Sequence, residues 1–260
     1  MAEVFNMYSA YYDLLYRDKD YAAEAQHIQR LIQRHRPGVA SILELGSGTG
    51  RHARLLAEMG HRVHGLERSP SMLEQARRLA AASSARERLS FVQQDIRELG
   101  TGGRFDVIMS LFHVVSYLTA TEDLRKLFTA VAQNLAPDGV FLFDCWYGPA
   151  VLHQVPAVRV KRVESEACRL VRIAEPELRI REDVVVVNYD MFIEQKPEGR
   201  ILHFTEQHPM RYFFEPELRV LLDACGMQIA ACSADLGVEE QPSVQHWGLT
   251  VIARPRSAMP

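Results

Sequence analysis

A glycine-rich loop that begins with an acidic residue is the most informative segment for chemistry. It reads Leu-Glu-Leu-Gly-Ser-Gly-Thr-Gly over residues 43–50 and follows a short apolar stretch typical of a strand. Glycines at such a junction let a ligand lie against the main chain. Glu44 would repel the pyrophosphate of a dinucleotide, and Arg51 stands where dinucleotide fingerprints have Gly or Ala. The loop therefore favours a ligand with cationic ammonium and sulfonium groups.

Two further acids follow predicted strands. Glu67 comes about 20 residues beyond the glycine loop, where a carboxylate can accept hydrogen bonds from ribose hydroxyls. Asp95 lies in a Gln-Asp-Ile segment and could accept a hydrogen bond from an adenine amino group, with Ile96 packed on the ring. A helix N-cap is the alternative role for Asp95. The two acids predict recognition of a ribose and an adenine.

The elements that would position these residues alternate along the chain. Apolar spacing predicts strands over 40–45, 61–66, 89–93, 105–110 and 140–143, the last after a turn at 137–139. Helices are predicted over 20–35 and 52–59, from Ser69 and Pro70 onward with Ser71 and Glu74 as a capping box, and from Thr119 or Thr121 to Leu135. This alternation indicates a parallel sheet covered on both faces, with ligands at the carboxyl ends of its strands.

The pattern changes after Pro149. Residues 158–213 show alternating apolar and polar positions without a good helix, and Lys-Pro-Glu-Gly at 196–199 predicts a hairpin turn. A helix over 215–225 and strands over 228–233 and 246–253 follow. We interpret the β-rich stretch as an antiparallel insertion in one domain.

Residues 40–145 resemble the class I S-adenosylmethionine-dependent methyltransferases. The acidic glycine loop, Glu67, the Gln-Asp-Ile segment and the Leu-Ala-Pro-Asp-Gly-Val turn at 135–140 carry the resemblance. It implies S-adenosylmethionine as cofactor, with S-adenosylhomocysteine as product. It also implies an α/β Rossmann-like sheet of seven strands whose last two form an antiparallel edge. The expected division is an N-terminal helical lid (1–36), a cofactor-binding core (37–149), the insertion (150–213, on the substrate side or at a dimer interface) and the rest of the core (214–260).

The resemblance also implies roles for individual residues. The glycines of the loop would line the methionine and ribose, Glu67 would hold the ribose, and Asp95 with Ile96 would hold the adenine. Three residues at the end of the fourth strand would face the sulfonium. The full expected cofactor site is Tyr16, Glu44, Gly46, Ser47, Gly48, Gly50, Glu67, Arg68, Met72, Asp95, Ile96, Ser110, Leu111 and Phe112.

Three segments are more narrowly similar to the nucleotide-sugar N-methyltransferases, namely 18–25, 112–118 and 202–208. This similarity implies an acceptor amino group on a nucleotide-linked sugar. The chain departs from that group with Glu-Leu-Gly-Ser at 44–47, where Asp-Val-Ala-Cys is frequent, and with Asp-Cys-Trp at 144–146, where the group has Glu-Pro-Trp. An O- or N-methyltransferase of another metabolite and a non-catalytic S-adenosylmethionine-binding protein therefore stay open as alternatives.

Catalysis would need an unprotonated amine held in line with the methyl group. His113, directly after the fourth strand, is the first candidate base, and Tyr8 in the lid is the second. Trp146 and Tyr147 could stack on a sugar or base or pack in the core. His208, near the end of the insertion, is a further candidate for substrate contact.

Composition excludes several other classes. The formal net charge of -3 argues against a nucleic-acid substrate, as does the absence of an Asn-Pro-Pro-Tyr motif after the fourth strand. Four scattered cysteines without a CxxC pair or zinc spacing predict reduced thiols, no metal site and a cytoplasmic location. No apolar run is long enough for a membrane span, and the first residues do not resemble a signal peptide. Exposed strand edges in the insertion would suit a homodimer.

Overall fold

Helices and strands alternate through the first half of the chain in the computed structural model, which describes residues 7–100, 102–196 and 199–256. The helices are α1 (Tyr12–Leu15), α2 (Tyr21–His35), α3 (Arg51–Glu58), α4 (Pro70–Ala81), α5 (Thr121–Asn134), α6 (Gly148–Gln154) and α7 (Glu215–Ala224). Short 3-10 turns cover Tyr8–Tyr11, Arg86–Arg88, Ile96–Glu98, Val114–Tyr117 and Ile180–Glu182. The strands are β1 (Ser41–Leu45), β2 (Arg62–Glu67), β3 (Leu89–Gln93), β4 (Phe105–Ser110), β5 (Leu135–Tyr147), β6 (Arg159–Glu164), β7 (Cys168–Arg179), β8 (Val184–Gln195), β9 (Arg200–Phe213), β10 (Met227–Ser233) and β11 (Gly248–Pro255).

Seven strands form the core sheet in the order β3-β2-β1-β4-β5-β11-β10. The first five are parallel. The strand β11 pairs antiparallel with both β5 and β10, so it alone runs against the other six. The predicted Rossmann-like sheet with an antiparallel C-terminal edge is confirmed.

Local details differ from the sequence predictions in three places. The strand β5 already begins at Leu135, so the predicted turn at 137–139 lies inside it, next to a register shift of its partner β4. Ser69, rather than Ser71, caps α4 by accepting a hydrogen bond from the Met72 N–H. The helix α6 was not predicted, and a proline in its first turn fits a helix start.

A second antiparallel sheet continues from the core sheet. Its strands follow the order β9-β8-β7-β6, and β9 joins β5 through the pairs Trp146↔Tyr212 and Tyr147↔Phe213. The predicted turn at 196–199 lies partly outside the described residues, because Pro197 and Glu198 are not described. Since the junction is at the carboxyl end of β5, the second sheet extends over the edge where ligands are expected.

Apolar side chains cover both faces of the core sheet. One cluster joins α5 and α7 to the sheet, and another joins α2, α3 and α4 to the opposite face. A third cluster packs Tyr8 and Leu15 against Leu170, Met191 and Ile193 of the second sheet. This third cluster holds the N-terminal segment over the carboxyl ends of the core strands. Among the helices of the described ranges, none has the length and apolar character needed to cross a membrane.

Candidate active site

A cavity of about 550 Å³ lies at the carboxyl ends of β1 to β4. Loops that follow these strands form one side, and the N-terminal helices together with β8 and β9 form the other. The volume and position are typical of a small-molecule site in an open α/β sheet. Across the described ranges, no three His, Cys, Asp or Glu side chains are grouped to hold a metal ion.

Most of the sequence-predicted site residues meet in this cavity. They come from seven separate parts of the chain, which the fold brings to one edge of the sheet. The predicted residues that line the cavity are Tyr8, Tyr16, Glu44, Gly46, Ser47, Gly48, Glu67, Arg68, Met72, Asp95, Ile96, Leu111, Phe112, His113, Trp146 and His208.

Gly50, Ser110 and Tyr147 do not line the cavity. Gly50 begins α3 with a φ of 76°, and a Cβ there would lie 2.9 Å from the Phe91 ring, so its place is helix-to-strand packing. Ser110 is fully buried and donates a hydrogen bond to the Leu45 carbonyl at 3.2 Å. Tyr147 packs against the core cluster of α5 and α7. The structure gives these three residues packing and strand contacts instead of a place in the lining.

Backbone hydrogen bonds hold the glycine loop against β2. The N–H groups of Gly46 and Ser47 both donate to the Leu66 carbonyl, at 2.8 and 2.9 Å. Gly46 has a φ of 71°, and a Cβ there would lie 2.7 Å from a methyl of Val114. Both the backbone angle and the close approach therefore require glycine at this position.

Glu67 connects the glycine loop to the start of α4. One carboxylate oxygen accepts the Gly48 N–H at 2.8 Å, and the other accepts the Ser69 N–H at 2.7 Å. Burial raises the pKa of Glu67 above its ordinary value, and these hydrogen bonds oppose that rise. A carboxylate has about four acceptor positions, so Glu67 can accept a further hydrogen bond from a ligand.

Glu44 is a buried carboxyl, with 2% of its surface exposed. Burial, followed by the charge of Glu67, raises the pKa of Glu44 to about 8, and a backbone hydrogen bond from Ala53 opposes the rise. Its Oε2 has no hydrogen-bond partner among the described residues. A buried acceptor without a partner is costly, and a cationic donor in the cavity would satisfy it.

Asp95 both caps a turn and lines the cavity. Its Oδ1 accepts the N–H and the Nε–H of Arg97 at 3.0 Å each, and its Oδ2 accepts from the Arg97 guanidinium at 2.6 Å. These hydrogen bonds lower the pKa of Asp95 despite partial burial, so the carboxylate is ionised at neutral pH. The helix-cap and ligand-contact roles weighed from the sequence are therefore compatible in one residue.

His113 faces a buried acid. The ring Nδ1 of His113 lies 2.9 Å from Asp144 Oδ2, and the backbone N–H of His113 donates to Asp144 Oδ1 at 3.1 Å. Burial alone would raise the pKa of Asp144, but the charge and hydrogen bonds of His113 hold it below its ordinary value. Phe112 and His113 have φ values of 64° and 61°, and two successive non-glycine residues in that region are uncommon outside functional sites. Asp144, which the sequence reasoning missed, therefore lies where it can orient the His113 ring.

Four tyrosines that the sequence analysis did not assign to the site form an aromatic wall of the cavity. Tyr12, Tyr21, Tyr117 and Tyr189 line the cavity from α1, α2, the turn after β4 and β8. Burial raises the pKa of Tyr12, Tyr21 and Tyr117, so these phenols stay protonated at neutral pH. Electron-rich rings attract cations, so the wall suits a cationic ligand. No local motif connects residues from four separate elements.

The N-terminal segment bridges the glycine loop and the second sheet. Asp13 accepts two hydrogen bonds from Arg51, at 3.0 and 3.1 Å. On the other side, the Tyr8 N–H donates to Glu206 at 2.8 Å, and Arg172 donates to the Tyr8 hydroxyl at 2.8 Å. Burial raises the pKa of Tyr8 well above its ordinary value, so its hydroxyl stays protonated at neutral pH. These contacts close the cavity along this side.

A family model described as a methyltransferase domain matches residues 42–139. A dTDP-3-amino-3,4,6-trideoxy-alpha-D-glucopyranose N,N-dimethyltransferase of Streptomyces venezuelae is 29% identical over 222 residues, which cover 84% of this chain and 89% of that protein. A dTDP-4-amino-2,3,4,6-tetradeoxy-D-glucose N,N-dimethyltransferase of Saccharopolyspora spinosa is 29% identical over 234 residues, covering 87% and 89%. Both matches extend well beyond the core that the family model covers.

A similar solved structure contains the expected cofactor. An amino pentose methyltransferase from Micromonospora echinaspora, involved in calicheamicin biosynthesis and solved with S-adenosylmethionine bound, superposes with a TM-score of 0.74 at 25% identity. The match covers 98% of this chain and 99% of that chain. The likeness therefore includes the second sheet and the N-terminal helices.

The buried carboxyl of Glu44 gives a stability prediction for the ligand-free protein. Between the ordinary value of 4.5 and a pKa of about 8, the folded state keeps a proton that the unfolded state releases, so stability falls as the pH rises through that window. Glu44→Gln should remove this slope and raise the free energy of unfolding at pH 8.5 by on the order of 3 kcal/mol. Urea unfolding at pH 5.5 and 8.5, with the exposed Glu122→Gln as control, measures it. Equal pH slopes in wild type and Glu44→Gln would contradict the assignment.

Proposed function

We propose, from the premise that this chain is a class I S-adenosylmethionine-dependent methyltransferase, that it methylates the amino group of a nucleotide-linked sugar. The observation that carries the proposal is the similarity, over more than four fifths of the chain, to two N,N-dimethyltransferases. Those relatives are named for dTDP-linked amino sugars that carry the amino group at position 3 or 4. The proposal therefore commits to an amine acceptor and a dTDP sugar, and not to one ring position.

The cofactor fits the residues present. Glu44 would take the ammonium of the methionine part, because its buried Oε2 needs a donor. Gly46 and Gly48 would let that part lie against the backbone, and Glu67 would accept from the ribose hydroxyls. Asp95 would accept from the adenine amino group, with Ile96 on the ring. The remaining predicted cofactor contacts that line the cavity are Tyr16, Ser47, Arg68, Met72, Leu111 and Phe112.

The bound cofactor supplies an activated methyl group, so the protein's task is to position an unprotonated amine. His113 is proposed as the group that accepts the proton of an incoming ammonium. Asp144 would keep a proton on Nδ1 and leave the Nε2 lone pair for the acceptor. Trp146, whose ring centroid lies 6.4 Å from that of His113, would pack on the sugar or the base. We do not assign a proton-accepting role to Tyr8, because its hydroxyl already receives a hydrogen bond from Arg172.

Glu67→Ala should weaken the binding of S-adenosylmethionine at least about tenfold, because a carboxylate that accepts ribose hydrogen bonds is lost. Isothermal titration calorimetry measures the affinity, and NADH serves as the competing ligand class. The matched control is Glu74→Ala, an exposed acid on α4. Unchanged affinity in Glu67→Ala, or a wild type that prefers NADH, would refute the proposed cofactor site.

His113→Gln should lower kcat by about 100-fold near neutral pH and leave cofactor affinity within twofold, because a general base contributes this much to a step that needs a free amine. Activity should recover toward pH 9, where more of the acceptor is unprotonated. The control is His153→Gln, an exposed histidine on α6. A full rate at neutral pH in His113→Gln would show that another group deprotonates the acceptor.

We further propose a small-molecule rather than a nucleic-acid acceptor, a cytoplasmic location and a homodimer formed through β6.

The outer edge of β6 has no strand partner in the part of the chain that the structure describes. Val160 on this strand and Val158 just before it are 46% and 59% exposed. Val160→Lys should shift sedimentation toward the monomer because it replaces an exposed apolar side chain of the edge strand with a charged one. A monomeric wild type would contradict the homodimer.

A further inference from the structure

A chain of three polar side chains leads from the cavity into the second sheet. Tyr117 lies in the 3-10 turn after β4, and His208 and Glu206 lie on β9. The Tyr117 hydroxyl is 2.9 Å from His208 Nδ1, and His208 Nε2 is 3.4 Å from Glu206 Oε2. Tyr117 and His208 line the cavity, whereas Glu206 lies behind them. The geometry thus connects the cavity to a nearly buried acid.

The direction of these hydrogen bonds follows from the groups themselves. An ionised carboxylate only accepts, so the proton of a neutral His208 lies on Nε2 and the Tyr117 O–H donates to Nδ1. Burial, followed by the charge of Arg172, lowers the pKa of His208, and Glu206 opposes that change. Burial raises the pKa of Tyr117 well above its ordinary value. With Glu206 ionised, the chain at neutral pH consists of a protonated phenol, a neutral imidazole and a carboxylate.

Every element packed around His208 contributes a polar or charged group. The Tyr189 ring of β8 lies 4.7 Å from the His208 ring, and the Tyr8 ring of the N-terminal segment lies 5.4 Å from it. Arg172 of β7 lies over the Tyr189 ring and donates to the hydroxyls of Tyr8 and Tyr16. Of the two charged groups named here, Glu206 stabilises an imidazolium at His208, whereas Arg172 opposes it.

We propose that Tyr117 and His208 carry away the proton that the acceptor nitrogen must lose after the first methyl transfer, and that Glu206 positions His208. This inference rests on the proposed amine acceptor. The nitrogen gives its lone pair to the methyl carbon as the carbon–sulfur bond breaks, and the electrons of that bond stay on sulfur. The nitrogen then passes its extra proton to Tyr117 Oη while the Tyr117 proton moves to His208 Nδ1. The resulting imidazolium lies beside the Glu206 carboxylate, so atoms and charge balance.

A second methyl transfer, for which the N,N-dimethyltransferase relatives are named, would need such a route. A monomethylated nitrogen that keeps its proton has no lone pair and cannot accept another methyl group. His113 is 27% exposed and can exchange its proton with solvent, whereas His208 is 1% exposed. The two histidines would therefore serve different steps, with His113 acting on the incoming ammonium and the buried chain acting on the product of the first transfer. Glu206 also accepts the Tyr8 N–H, so the N-terminal segment contacts the buried end of the chain.

Tyr117→Phe tests the inference through the product ratio. With S-adenosylmethionine and a dTDP-linked amino sugar, the ratio of dimethylated to monomethylated product should fall at least about tenfold at pH 7. It should recover toward pH 9, where solvent removes the proton. Glu206→Gln keeps an acceptor for the Tyr8 N–H and should shift the same pH dependence to higher pH. The matched control is Tyr212→Phe, a fully buried tyrosine on β9.

Two measurements without turnover accompany the product ratio. Calorimetry should give the same cofactor affinity for wild type, Tyr117→Phe and Glu206→Gln. Nitrogen NMR of histidine-labelled protein should show the proton of His208 on Nε2, with a lower pKa for His208 in Glu206→Gln because the stabilising charge is removed.

The outcomes separate this inference from the proposed function. If wild-type protein methylates no dTDP-linked amino sugar, the proposed function fails. If wild type dimethylates the sugar and Tyr117→Phe gives the same product ratio at every pH, the relay is refuted and the function stands. A Tyr212→Phe control that changes the ratio as much as Tyr117→Phe would also refute it, because the effect would then be structural.

Discussion

The desolvation of two neighbouring carboxyls, Glu44 and Glu67, is the constraint on which the site depends. Both lie at the carboxyl ends of adjacent parallel strands, and burial raises the pKa of each. Backbone N–H groups satisfy Glu67, whereas Glu44 keeps an oxygen without a partner among the described residues. Burial of these carboxyls therefore lowers the free energy of unfolding of the ligand-free protein. A cationic ligand would offset that loss when it binds, so the same burial favours its affinity.

The rest of the architecture follows from the need to enclose that pair. Parallel strands bring their following loops to one edge, and the second sheet continues from β5 at the same edge. The N-terminal segment then spans the gap, with Asp13 on the glycine-loop side and Tyr8 on the side of the second sheet. An enclosed site strengthens electrostatic interactions but slows the loss of a product proton to water. The proton route proposed from Tyr117 would resolve this conflict.

The core sheet and the residues that line the glycine-loop side of the cavity could be predicted from the sequence because their signals are local. The glycine loop, Glu67 and Asp95 each lie within a few residues of the strand that positions them, and strand periodicity is strong there. The acceptor half could not be predicted in the same way. Asp144 lies on β5 and contacts His113, which follows β4. Tyr117 contacts His208, which is 91 positions away in the sequence. Gly50 and Ser110 were assigned to the cofactor because motif position alone does not separate ligand contact from packing against Phe91 or Leu45.

The most direct test of the central claim is to follow a deuterated methyl group from labelled S-adenosylmethionine to a dTDP-linked amino sugar by mass spectrometry and NMR. The account predicts labelled methyl carbons bonded to the sugar nitrogen, and no label on the matching sugar that carries a hydroxyl in place of the amine. Label on oxygen, or no transfer to any amino sugar by protein that binds the cofactor, would contradict it.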